Sequence, residues 1–248
     1  MIDTHEIATG IHRIALYDEP DMADMSPPGV TTNLFVVNAT QPAIIQTLPR
    51  RTFRRVRDAV AEIVDPAALR YIAVPHHEAD SSGALNEWLQ VAPDATVLCS
   101  QMCAFLNLND FSDKTPVVVA DGETVDLGTH RLRFLATPMV NQWDSMMVFE
   151  ETTGMLFSND LFSNLGTEVS TADDLSKQNL EGARFVGYQA DDRTAIGRAL
   201  DKIEPLGLRG MAPMHGPVIT GHFDEYVSAF RNNSVAAYSE RSALLGPE

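Results

Sequence analysis

The sequence predicts a layered α/β fold in one domain spanning residues 1–248. Three observations point to it. Short β-rich runs recur along the chain, amphipathic helical segments separate them, and the most chemically suggestive polar residues follow the ends of the expected strands. Many strands with interspersed helices bury their apolar faces best when helices pack on sheets. With 44% apolar residues the chain has ample material for one sizeable core. No linker, internal repeat or low-complexity tract interrupts the pattern.

The elements follow in order. "IHRIALY" alternates, and "TNLFVVNA" and "PAIIQTL" are short β-rich runs bounded by turn residues. In "RTFRRVRDAVAEIVD", Phe53, Val56, Val60 and Ile63 recur at helical spacing with charges on the other face. "RYIAVP" reads as a buried strand and "GALNEWLQVAP" as a helix, with Ser81 or Ser82 placed to cap it. "ATVLCS" is a strand and "QMCAFLNL" a short helix. "TPVVVA" and "ETVDLG" flank Asp121-Gly122, a dipeptide suited to a hairpin turn. "RLRFLATP", "SMMVFEE" and "GMLFSND" are three more strands, the last two joined by a tight turn at "ETTG". Residues 164–190 are more polar and read as an insert or lid. "RTAIGRALDKIEPL" is a second amphipathic helix, "LRGMAP" a last strand and "DEYVSAFRNNSVAAYSERSALL" a closing helix.

Charge narrows the function. The formal net charge of -16 argues against nucleic acid and against an anionic membrane surface, both of which call for clustered Lys and Arg. The one basic cluster, "RRTFRRVR" at residues 50–57, reads as the solvated face of a helix, with a docking patch for an acidic redox partner as the sharper alternative. No apolar run approaches the ~18 residues of a membrane helix, and the N-terminus does not read as a signal peptide. Cys99 and Cys103 form neither a CxxC pair nor a disulfide framework, and they read as two half-buried thiols. A cytoplasmic location is expected.

Four loops, each after an expected strand, hold ligand-type residues. They are "PHHEADSSG" with His76, His77, Glu78 and Asp80, "TPMVNQWDSM" with Asn141 and Asp144, "LFSNDLF" with Asp160, and "APMHGP" with His215. Imidazole and carboxylate are ligands for iron, manganese and zinc. His76, Glu78 and Asp80 alternate, so extended chain would point all three one way and His77 the other. In layered sheets the edge beyond strand ends is where ligands usually bind.

Taken together, "GVTTNLFVV", "PHHEADSSGAL", "DGETVDLG", "TPMVNQWDSMM", "LFSNDLF" and "APMHGP" resemble the metallo-β-lactamase-fold domain of the flavodiiron proteins and related oxygen-binding diiron proteins. The resemblance implies a four-layer αββα sandwich. It implies that His76 and Glu78 serve one iron, Asp80 and His215 a second, and Asp160 both. Ser81 and Asn141 stand where the family has histidines, and Gln46 where it usually has an aspartate. The oxygen-rich remainder favours iron, as a pair or a single ion, or manganese over zinc, at reduced affinity.

Flavodiiron proteins reduce dioxygen or nitric oxide with electrons from FMN. No flavodoxin-like segment is recognisable, so FMN is not expected in this chain and electrons would come from a separate flavoprotein or rubredoxin. The resemblance also implies a homodimer. Three alternatives stand beside this reading. One is a non-catalytic sensory or binding module that acts through a signalling partner. Another is a metal-free pseudo-enzyme of the same fold. The third is a metal-dependent hydrolase of the metallo-β-lactamase superfamily, which Glu78 in place of that group's usual histidine disfavours.

Overall fold

A computed structural model describes residues 1–17, 31–163, 193–228 and 230–231. The expected insert at 164–190 and most of the closing helix lie outside the described residues.

One sheet has seven strands in sequence order: β1 (Ile2–Ala8), β2 (Ile11–Tyr17), β3 (Thr31–Val37), β4 (Ala43–Ile45), β5 (Tyr71–Val74), β6 (Thr96–Cys99) and β7 (Val117–Val118). The first four pair antiparallel, and β4 to β7 pair in parallel. The other sheet has the order β12-β11-β10-β9-β8, from β8 (Thr124–Asp126), β9 (Arg131–Ala136), β10 (Met146–Glu150), β11 (Met155–Asn159) and β12 (Gly210–Pro213). Among the described residues, β11 and β12 pair in parallel there and its other neighbours pair antiparallel.

Among the described residues, three buried clusters define the layers. Ile11, Phe35, Val37 and Ile45 meet Phe134, Met146, Val148 and Phe157 between the sheets. Phe35 and Phe157 lie with ring centroids 5.0 Å apart across this interface. Outside the seven-stranded sheet, Val56 and Val60 of the helix Phe53–Ala61 and Trp88 of the helix Leu85–Val91 cover Ile14, Leu34, Ile44 and Ile72. Outside the five-stranded sheet, Ile196, Leu200 and Ile203 of the helix Arg193–Ile203 cover Met147, Phe149 and Leu156. The result is the αββα sandwich. Central strands such as β3, β10 and β11 are buried on both faces, hence their continuous apolar reading.

The structure corrects four local expectations. Asp121-Gly122 does not close a hairpin: β7 belongs to one sheet and β8 to the other, so this turn carries the chain between sheets. Gly122 suits it with φ of +80°. Neither Ser81 nor Ser82 caps the Leu85–Val91 helix, which has no side-chain cap of its own and follows a separate short helix, Ala79–Ser82. The N–H of Ala84, just ahead of that helix, is met from a distant loop by the Leu48 carbonyl at 3.0 Å and the Thr47 hydroxyl at 3.2 Å. The segment 101–111 is longer than expected, with a π-helical turn at Ala104–Leu108 between two short α-helical turns. Finally, the thiols of Cys99 and Cys103 are fully buried rather than half-buried.

Candidate metal centre

The ligand-type residues follow β5, β9, β11 and β12 and meet at one edge of the sandwich. His76 is fully buried, His215 is 6% exposed and Asp160 is 2% exposed. His76, Glu78 and Asp80 each place one ligand atom within 4.8 Å of the other two. The means differs from simple strand alternation. Glu78 is extended, but Asp80 already belongs to the helix Ala79–Ser82, so the chain turns inward after Glu78.

Asp160 spans the two histidines. Its Oδ2 lies 3.7 Å from His76 Nε2 and its Oδ1 lies 3.6 Å from His215 Nε2. Glu78 Oε2 is 3.5 Å from His76 Nε2, and Asp80 Oδ2 is 3.4 Å from His215 Nε2. These separations exceed ordinary hydrogen bonds. Two ligands each ~2.1 Å from a common ion stand roughly 3.0–3.5 Å apart at octahedral to tetrahedral angles. The Glu78–His76 and Asp80–His215 separations therefore suit atoms that share an ion, and the two Asp160 separations are 0.1–0.2 Å beyond that range.

Both imidazoles are oriented from behind. His76 Nδ1 bonds Asn159 Oδ1 at 2.9 Å, and His215 Nδ1 bonds the Thr31 carbonyl at 3.2 Å. An acceptor at Nδ1 puts the ring proton there and leaves the Nε2 lone pair toward the carboxylates. His76 Nε2, buried, has no hydrogen-bond partner. The donor set thus fits a hard or borderline divalent ion: two imidazole nitrogens and three carboxylates, all converging.

Charge at the site is correspondingly strained. Burial alone would lower His76, but Glu78, Asp160 and Asp80 outweigh it and raise it to about 9. Burial also works against His215, yet the facing Asp80 and Asp160 carboxylates raise it. The facing His76 imidazole holds Glu78 below its ordinary value. Burial pushes Asp80 up, but His215 more than reverses that. Asp160 is raised, because burial there exceeds the pull of the two histidines.

The replaced positions are occupied differently. Asn141, in the left-handed region at φ +70°, donates Nδ2 to Asp160 Oδ2 at 2.7 Å. Ser81 Oγ is buried and has no hydrogen-bond partner, and neither has Gln46 Oε1. His77 turns away, as alternation implied. Its Nδ1 bonds Ser82 Oγ at 2.9 Å and its ring meets Phe111 edge-on. Asp144 is also outside the cluster and accepts from the His77 N–H at 2.9 Å.

Several contributors escaped the sequence reading. Gln142 donates Nε2 to Glu78 Oε1. Asn33 donates Nδ2 to the carbonyls of Pro213 and Gly216, at 2.8 and 2.9 Å, and accepts from Arg13 Nε at 2.8 Å. Arg13 also donates to the Gly216 carbonyl at 3.0 Å. These bonds clamp the loop that carries His215 onto β2 and β3. A charged residue inside an apolar strand was the available signal for Arg13. Nothing local marked Asn159.

Residues 30–216 match the family model described as ODP family beta lactamase. The chain belongs to this family. Among its relatives, the type A flavoprotein fprA of Rhodobacter capsulatus is 30% identical over 244 residues, covering 91% of this chain and 54% of that protein. The nitric oxide reductase of Moorella thermoacetica is 29% identical over 197 residues, covering 76% of this chain and 49% of its own length. A diflavin flavoprotein of Nostoc sp. is 27% identical over 211 residues, and the chain spans only 37% of it. Among solved structures, the flavodiiron protein of Giardia intestinalis matches 95% of this chain and 60% of its own at 17% identity, with a TM-score of 0.86. Rubredoxin oxygen:oxidoreductase from Desulfovibrio gigas matches 94% of this chain and 62% of its own at 20% identity, with a TM-score of 0.84. The fold of this ODP-family chain is that of the flavodiiron cores. Among the described residues, no helix is long and apolar enough to cross a membrane.

Proposed function

We propose that His76, Glu78, Asp80, Asp160 and His215 hold divalent metal, iron before manganese or zinc, and that with iron the protein binds or reduces dioxygen or nitric oxide there. The observation that carries this reading is the paired orientation of His76 and His215. Each has its Nδ1 fixed by a neighbouring oxygen and its Nε2 turned to the carboxylates. Relatives named as a nitric oxide reductase and a rubredoxin oxygen:oxidoreductase support the substrate class.

When bound, iron supplies the electrons and the Lewis acidity that such small gases require. The chain's own residues do the rest. Asp160 offers one oxygen to each histidine side, and Gln142 steadies Glu78. A cavity of about 260 Å³, lined by His77, Asn107, Gln142, Trp143 and Asp144, lies beside Gln142 and is roomy enough for a small molecule. Electrons would come from a separate flavoprotein or rubredoxin, and the protein would work as a homodimer in the cytoplasm. Iron analysis of the purified protein, followed by rapid mixing of its reduced form with nitric oxide or dioxygen, tests the proposal. Protein without bound metal after anaerobic loading sinks it.

A second reading has its own support. The amides of Asn141 and Gln142 already satisfy Asp160 and Glu78 in part, as a metal-free binding or sensory module would need. The same iron analysis separates the two.

A further inference from the structure

The residues at and beside the replaced ligand positions do not treat the two sides of the cluster alike. On the His76 side, Asn141 Nδ2 donates to Asp160 Oδ2 at 2.7 Å, and that is the oxygen turned to His76. The next residue, Gln142, donates to Glu78. Two of the carboxylates there each carry an amide N–H. A cation and an amide hydrogen seek the same lone pairs, and the partial positive charge of the amide opposes a cation close by. In the flavodiiron pattern a histidine stands at 141, with a lone pair to give. Asparagine in this pose presents a donor instead.

Asp80 is in the opposite condition. Its Oδ1 is buried and accepts no hydrogen bond, and the adjoining Ser81 Oγ, also buried, has no partner either. A buried carboxylate oxygen without a donor is costly unless a cation meets it. Asp80 is also the junction of the cluster. It has a ligand atom within 4.8 Å of those of His76 and Glu78, and its Oδ2 lies 3.4 Å from His215 Nε2. One ion reached through Asp80 can draw on either imidazole.

We infer that the site takes a single divalent cation held through Asp80, and that the amides of Asn141 and Gln142 stand in for a second. The inference rests on the proposed metal-binding function and deepens it. It departs from the two-ion expectation that the resemblance carries.

Manganese(II) is the probe. The purified chain is loaded anaerobically with excess Mn(II), desalted, and read for bound metal per chain and by electron paramagnetic resonance. The expected result is one ion per chain with the spectrum of an isolated, uncoupled ion. Asp80→Asn, nearly isosteric, should lose that ion while keeping the circular dichroism of the native fold. Asn141→His, alone and with Ser81→His, should raise the count toward two and introduce spin coupling. Two coupled ions in the native protein overturn the inference but leave the metal-binding function standing. Retention of the ion in Asp80→Asn also overturns it, as does a folded double variant that still binds one. No bound ion in the native protein overturns the proposed function itself.

Discussion

Asn159 Oδ1 stands 2.9 Å from His76 Nδ1, with both side chains buried at the end of neighbouring sheets. Asn159 holds a left-handed backbone, φ +55°, just before Asp160. One residue therefore orients a histidine with its side chain and turns the next carboxylate inward with its backbone. Removing such a support behind a ligating histidine typically costs ~10–100-fold in metal affinity. Asn159→Ala should show a loss of that size in competition with a chelator. Asn159→Asp, which keeps an acceptor, should retain most of the affinity.

The Asn33 clamp predicts a stability effect. Asn33→Leu leaves Arg13 Nε and the Pro213 carbonyl without their bonds inside the protein. Loss of a buried, partly charged network of this kind costs about 3–5 kcal/mol. The urea midpoint should fall with little change in slope, and the His215 loop should loosen with it.

Thr47 makes a smaller prediction. Its hydroxyl donates to the Ser81 carbonyl at 3.1 Å and accepts from the Ala84 N–H, joining the candidate metal loop to the helix behind it. Thr47→Val keeps the shape and removes both bonds. Because Ala84 N–H also reaches the Leu48 carbonyl at 3.0 Å, the expected loss is about 1–2 kcal/mol, seen in thermal unfolding.

Acid sensitivity should arise partly at Glu150, far from the cluster. Burial pushes its carboxyl up, but the Thr153 hydroxyl and the N–H groups of Thr152 and Thr153 outweigh burial and hold it below its ordinary value. A depressed folded value means that ionised Glu150 stabilises the fold above the unfolded carboxyl's pKa of about 4.3. That contribution is lost as pH falls through the lower folded value. Glu150→Gln should be less stable near neutrality and show a shallower fall in stability on acidification, measured by urea unfolding across that range.

The alternation of short strands and amphipathic helices was enough to read a layered α/β fold, because each buried face leaves its own periodicity, and the resemblance to the flavodiiron pattern supplied the αββα order. Strand β1 went unread because its residues, Ile2–Ala8, are half-exposed and polar. The Asp121-Gly122 turn misled for a different reason: the same local chemistry serves a hairpin and a passage between sheets, and only long-range pairing decides. The four loops could be picked out because they follow strand ends, and the five candidate ligands within them because together they resemble the flavodiiron pattern. Their supports could not. Thr47 and Ala84 are 37 residues apart, and His76 and Asn159 are 83 apart, so no local pattern joins them.

The chain enters its second sheet at Asp121-Gly122, and this divides the cluster by origin. His76, Glu78 and Asp80 come from the strands before that turn, Asp160 and His215 from those after it. Neither half of the polypeptide carries a complete set of donors. A cation held between them would act as a rivet through the sandwich, and its release would report that the two sheets had parted. Cutting the backbone at that exposed turn would turn the protein into two pieces whose reunion could be followed by metal capture alone.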